Sequence, residues 1–314
     1  MKTAMTMLMG VLLLAPAAAF AQGSQAWRER SFVPTAAGDW TGARLPDGQP
    51  DVQGHWSNTV GNHNNLTNPQ GGGGGEAAAT GRGGGRGGGA AARTERAPSR
   101  VSDPPDGQVP YQAWARAKQQ EFGAHLDNPI RPEYVEPLAR CAPGGPTKSF
   151  MWHGYEIRQY PGYVVFFFDS GTRVIHLGGR PHLPENIKLW NGDSRGRWEG
   201  NTLVVDVANN NSKSRFSRTG EFVSEHAQIA ERFVFDPQGD RFTYHATYTD
   251  PTVLTRPFTI TIPNRRVTAE TPQDGWNNLT FPAKHAGAEP LIEAYERTCV
   301  ENNGNHGAVA VDGQ

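Results

Sequence analysis

The 314-residue sequence is short of cysteine, of net charge and of apolar runs. It carries 30 basic and 31 acidic residues, a formal charge of −1. That balance argues against nucleic acid as a partner, which demands a concentrated basic surface. After the N-terminus no stretch approaches the ~20 apolar residues that span a bilayer, so no membrane insertion is expected. The ten histidines are scattered, with no His-x-His, His-Glu-x-x-His or paired-cysteine spacing, so no metal site is expected. Neither a dinucleotide nor a Walker fingerprint occurs, and no cofactor is expected. "GDSRG" fits G-x-S-x-G on paper, but Ser194 precedes a hairpin. A nucleophile elbow needs strand, turn and helix, so a serine hydrolase is set aside.

The N-terminus reads as a secretory signal over residues 1–21. Lys2 is followed by the apolar "MLMGVLLLAPAAAF", then Ala19-Phe20-Ala21, with cleavage before Gln22. The mature chain is expected to be secreted or periplasmic. In an oxidising compartment Cys141 and Cys299 would pair. Such a bridge closes roughly 160 residues and contributes about 4–5 kcal/mol in the chain-entropy model. Two buried thiols are the alternative.

Residues 22–70 hold too little chain for a core of their own. They read as an arm anchored by Val52 and Trp56 in "LPDGQPDVQGHWSN". Residues 71–100, with "GGGGGEAAATGRGGGRGGGAAARTER", read as a flexible Gly/Arg-rich linker. Residues 101–303 form a β-rich domain and 304–314 a disordered tail. Gln112–Leu126 carries the one helical pattern, a partial stripe. From Tyr155 to Val267, β-branched and aromatic runs alternate with Pro-Gly, Ser-Gly, Gly-Asn and Gln-Gly corners. This implies an antiparallel meander closing as a lipocalin-like barrel, or folding as a sandwich, with one N-terminal helix and irregular arms.

Turns at Pro161-Gly162 and Ser170-Gly171 set Ile157 across from Phe166, Phe166 from Ile175, and Val165 from His176. Alternation then gives a core face of Ile157, Gln159, Val164, Phe166, Phe168, Ile175 and Leu177, interrupted by Gln159 and Arg173. The opposite face mixes Glu156, Arg158, Tyr160, Tyr163, Val165, Phe167, Val174 and His176. It suits either a ligand cavity or a surface half covered by the arm and helix.

A turn at Gly200-Asn201 in "GDSRGRWEGNTLVVDV" pairs Glu199 with Thr202, Trp198 with Leu203, Arg197 with Val204 and Arg195 with Asp206. Trp198, Leu203, Val205 and Val207 become core. Arg195, Arg197, Glu199, Thr202 and Asp206 share the other face. That face is either a solvent-facing ladder of ion pairs or a charged wall inside the barrel. In "ERFVFDPQGDRFTYHATYTDPT", Glu231 falls with Phe233 and Phe235, Arg232 with Val234, and His245 away from Tyr244 and Tyr248.

The catalytic candidates are Asp206, Glu199, His182 and Asp193, types suited to acid–base chemistry. Arg180, Arg197, Glu231, Arg232, Arg158, His176, Tyr163 and Trp190 are candidates for substrate binding, arginines because they hold anions.

The blocks "GQPDVQGHW", "DPPDGQVP", "GYVVFFFD", "GGRPHL", "GDSRGRWEGNTLVVDV", "SEHAQIAERF", "TDPTVLTRPF" and "AYERTCVENN" occur in this order over most of Leu45–Asn303. In combination they resemble a family of uncharacterised secreted bacterial proteins. The resemblance places Arg180, His182, Asp193, Arg197, Trp198, Glu199, Asp206, Glu231, Arg232 and Asp250 in motif blocks and implies no activity. Gln228 and Val300 stand where similar proteins tend to carry histidine. The function expected is a cofactor-free hydrolase or lyase acting on a small polar compound such as a carbohydrate derivative. A periplasmic binding or carrier protein without chemistry is the alternative.

Overall fold

A computed structural model describes residues 34–58, 66–67, 99–125, 129–135, 137, 142–151, 154–168, 171–217 and 219–267. Ten strands and one helix follow in order: β1 (Gly54–Asn58), β2 (Val101–Asp103), α1 (Ala113–Ala124), β3 (Tyr155–Tyr160), β4 (Tyr163–Phe168), β5 (Gly171–Leu177), β6 (Asp193–Glu199), β7 (Thr202–Ala208), β8 (Gln228–Phe235), β9 (Arg241–Thr249) and β10 (Phe258–Arg266). Strands β3 to β10 pair with their sequence neighbours, and β1 joins β3 to β10. This closes a nine-stranded barrel of lipocalin-like build, which leaves its ring no free edge. β2 adds outside the ring, at the start of β10. The helix lies within the expected span, shortened by a residue or two at each end.

Residues of like face fall together as alternation requires. Ile157, Val164, Phe166, Ile175, Leu203, Val205 and Val207 are buried in the interior. The β6–β7 hairpin has the expected register throughout, and so does β3–β4. The β4–β5 register differs: Val164, not Phe166, faces Ile175, Tyr163 faces His176, and Phe168 pairs with Gly171. The shift is two residues, so every side chain keeps its face. The meander is also broken once, because β5 and β6 run parallel. A parallel pair needs a crossover running back along the sheet. Residues 178–192 supply it.

The lumen is filled rather than hollow. A 3-10 turn, Lys148–Met151, puts the fully buried Phe150 against Tyr155, Phe166, Phe168, Phe233 and Tyr244, with centroids 4.6–5.4 Å apart. Edge-on pairs of this kind add to simple burial. Val52 and Trp56 are both wholly buried; Trp56 belongs to β1, a strand of the ring itself, and lies edge-on to Phe242 at 5.0 Å. The signal segment, most of the Gly/Arg-rich linker, the tail, and both Cys141 and Cys299 lie outside the described residues.

Candidate functional site

The charged face of β6 and β7 is the outer wall of the barrel. Of the two readings of this face, the solvent-facing one holds and the wall inside the barrel does not; the mixed β3–β5 face likewise points outward. The physical reason is parity: Trp198, Leu203, Val205 and Val207 take the interior, so the alternate residues cannot.

On that wall the crossover from β5 to β6 delivers His182 into a cluster. Its Nδ1 lies 2.9 Å from Asp193 Oδ2, and its Nε2 lies 3.0 Å from Asp206 Oδ2. Asp193 is nearly closed off, its side chain 5% exposed, whereas that of Asp206 is 65% exposed and that of His182 25%. Asp193 also accepts the Leu183 N–H at 2.9 Å and pairs through Oδ1 with Arg195 Nη1 at 2.9 Å. Arg195 Nε donates to the Pro181 carbonyl at 3.0 Å, and Asn209 Nδ2 to that of Leu183 at 2.8 Å. The buried carboxylate thus makes three kinds of charge-assisted contact, the stronger class of hydrogen bond.

Neutral imidazole donates from one nitrogen only. Asp193, buried and otherwise acceptor-only, fixes the donor at Nδ1. In that neutral form the lone pair is at Nε2, on the more exposed side, and the 3.0 Å contact with Asp206 Oδ2 is a hydrogen bond only when Nε2 also carries a proton. A proton taken up at Nε2 would leave an imidazolium between two carboxylates. An orienting acid behind a histidine is the arrangement that supports general-base chemistry.

His176 and Tyr163 border this cluster. Tyr163, His176, Arg195 and Asp206 stand in one lateral row across β4 to β7. The Tyr163 and His176 rings meet edge-on at 5.1 Å. Partial burial, then the Arg195 guanidinium, lowers the His176 pKa, with Arg180 adding to the effect against the opposing pull of Asp193. Arg180 is exposed, two residues before His182.

The remaining candidates lie elsewhere. Glu199 sits at the far end of β6, about 20 Å from Asp193 along the strand. There it pairs with Arg197 at 2.6 Å and Arg232 at 3.5 Å, all exposed. Of the catalytic candidates, Glu199 is thus not brought to the cluster: it shares the wall with Asp206 but lies four rungs away. Arg158 pairs with Glu156 on the outside of β3. Trp190 lines a cavity of about 20 Å³ with Thr147 and Tyr248. Glu231 and Arg232, neighbours in sequence, face opposite sides of the wall.

Glu231 belongs to a buried network that sequence reasoning did not assemble. Inside the lumen Glu231 Oε1 accepts from Arg173 Nη1 at 3.0 Å and Tyr244 Oη at 2.5 Å, while its other oxygen takes Arg173 Nη2 at 2.5 Å. Arg173 also donates to Ser194 Oγ at 3.2 and 3.0 Å, and Thr147 ties Tyr244 to Tyr248. Burial and the Glu231 carboxylate hold the Tyr244 hydroxyl well above the usual phenol range. Burial pulls the Arg173 pKa down, but Glu231 more than offsets it, so the guanidinium stays charged. Ser194 is thus an interior hydrogen-bond acceptor, in line with its rejection as a nucleophile. The sequence signals were Arg173 on a largely apolar face and Glu231 on a face with Phe233 and Phe235, with nothing to join the two.

Among the described residues no group of three or more His, Cys, Asp or Glu side chains has the arrangement of a metal site, and no helix is long and apolar enough to cross a membrane. No family model, curated protein or solved structure matches the chain.

Proposed function

We propose that this chain is an exported, cofactor-free hydrolase or lyase whose acid–base group is His182, acting on a small polar compound such as a carbohydrate derivative. The observation that carries the reading is the suspension of His182 between a buried and an exposed carboxylate. Asp193 orients the ring, Nε2 takes the proton, and Asp206 steadies the resulting imidazolium or returns a proton to the leaving group. Arg195 holds Asp193 in place. A positioned base of this kind typically accounts for about 10²–10⁴ in rate. The signal-like N-terminus, the pairing of Cys141 with Cys299 and membership of the secreted bacterial family are part of the same proposal and rest on sequence pattern.

The test is a panel of p-nitrophenyl esters, glycosides and phosphates, with uronate disaccharides added for elimination. Wild-type protein should turn over at least one, and His182→Gln should lose about a hundred-fold or more while remaining folded. Equal rates in both proteins, or no turnover of any substrate, would contradict the reading.

A carrier without chemistry is the second reading. The filled lumen disfavours a ligand there. What favours this reading is a cleft of about 490 Å³ outside the ring, lined by Arg100, Ser102, Asp106, Thr243, Thr261 and Pro263 among others. That volume falls in the range of small-ligand sites. Ligand-induced stabilisation without turnover would support it.

A further inference from the structure

The row that leads to His182 has a chemical gradient. It begins with the exposed rings of Tyr160 and Tyr163, which face each other where β3 meets β4. It passes His176 and Arg195 and ends at Asp206. Arg180 lies on the segment that follows β5, one residue before the Pro181 carbonyl that accepts from Arg195. Gly178 and Gly179 have φ of +104° and +72°, values that side-chain-bearing residues rarely adopt. This bend returns the chain over the wall. Pro181, the next residue after Arg180, is then fastened by its carbonyl to Arg195.

Arg195 is committed to Asp193 and Pro181. Arg180 forms no hydrogen bond or ion pair with any described residue. Its neighbour Pro181 is bonded to Arg195, which faces His176 in the row, and the Arg180 charge is one of those that lower the His176 pKa. One guanidinium fork beside an imidazole matches a planar, singly charged carboxylate. A dianion would leave one charge uncompensated near Asp206. The exposed Tyr163 ring, 5.1 Å from that of His176, offers a flat apolar face of the kind on which a saccharide ring can rest.

We infer that the site binds a carboxylate-bearing sugar of the uronate class, with the carboxylate on Arg180 and His176, the ring on Tyr163, and the reacting bond at His182 Nε2. This deepens the acid–base reading of His182 and rests on it, but its test is binding rather than turnover. D-Glucuronate, D-glucose and inorganic phosphate are titrated into the full chain by calorimetry, with the histidine and tyrosine resonances followed by NMR.

Glucuronate should bind at least about ten-fold tighter than glucose, moving His176 and Tyr163 signals, and Arg180→Gln should remove that difference. Absence of glucuronate binding, equal affinity for glucose, equal affinity for phosphate, or an Arg180→Gln protein that binds unchanged would each overturn the inference. Glucuronate binding in a protein that turns over nothing would sink the catalytic reading and leave this subsite standing.

Discussion

His182 and Asp193 are eleven residues apart, and their side chains meet at 2.9 Å on the outer wall. The contact closes the crossover onto the barrel, so the two carboxylates that flank His182 should differ sharply in their effect on stability. Asp193→Ala strands a histidine, an arginine and a backbone N–H, and should cost about 2–4 kcal/mol. Asp206→Asn, at an exposed position, should cost less than about 1 kcal/mol. Urea denaturation of the two variants, read by tryptophan fluorescence, checks the contrast.

Arg173 and Glu231 form an ion pair with almost no exposure. Removing one partner leaves an unpaired charge in the lumen, so Glu231→Gln should destabilise by about 3–5 kcal/mol. Replacing both, as in Arg173→Met with Glu231→Leu, should recover a substantial part of that loss. Thermal melts of the single and double variants measure the coupling.

Asn201 is the tip of the β6–β7 hairpin and also the clamp for the arm. It receives the Gly38 N–H at 2.9 Å and donates to the carbonyls of Gly38, Ala36 and Phe235 at 2.8, 2.9 and 2.7 Å. Gly200 beside it has φ +59°, and a Cβ there would meet the Gly38 carbonyl oxygen at 2.1 Å. Gly200→Ala should therefore lift the arm, at a cost of about 1–3 kcal/mol from strain and lost contacts. Limited proteolysis, with earlier cleavage around residues 34–44 than in the wild type, is the readout.

His55, on β1, has its pKa lowered from 6.5 to about 4, first by burial and then by Arg158 and Arg266. Glu156 lies 3.6 Å away but does not reverse this. Above the unfolded value neither state binds the proton, so the group contributes nothing there. As pH falls from about 6.5 to 4 only the unfolded chain takes it up, and stability drops by about 2–3 kcal/mol over that window. His55→Gln should flatten this part of the curve, measured by urea midpoints at steps between pH 7.5 and 4.5.

What the sequence made legible was parity. A period of two fixes which side chains share a face, so the core of β3 to β7 and the grouping of Arg195, Arg197, Glu199 and Asp206 could be read directly. The two-residue slip at Phe168 and Gly171 left that reading intact because parity survives it. Parity groups the charged residues opposite the apolar ones but does not say what packs against their face, and so the charged wall could be read either way. The parallel β5–β6 pair leaves no local trace, since it depends on where residues 178–192 lead the chain. For the same reason His182, Asp193 and Asp206 could each be named as candidates while their contacts with one another could not. The lumen network joins Arg173 to Glu231 across 58 residues, a separation no local pattern spans, and Phe150 enters from a segment without strand signals.

The central claim is that buried Asp193 fixes the His182 tautomer and leaves Nε2 as the base. Long-range ¹H–¹⁵N NMR of His182 at a pH where the ring is neutral tests this directly. The account requires a proton on Nδ1, with the signature lost in Asp193→Asn and kept in Asp206→Asn. A proton on Nε2 in the wild type, or a tautomer indifferent to Asp193, would contradict it.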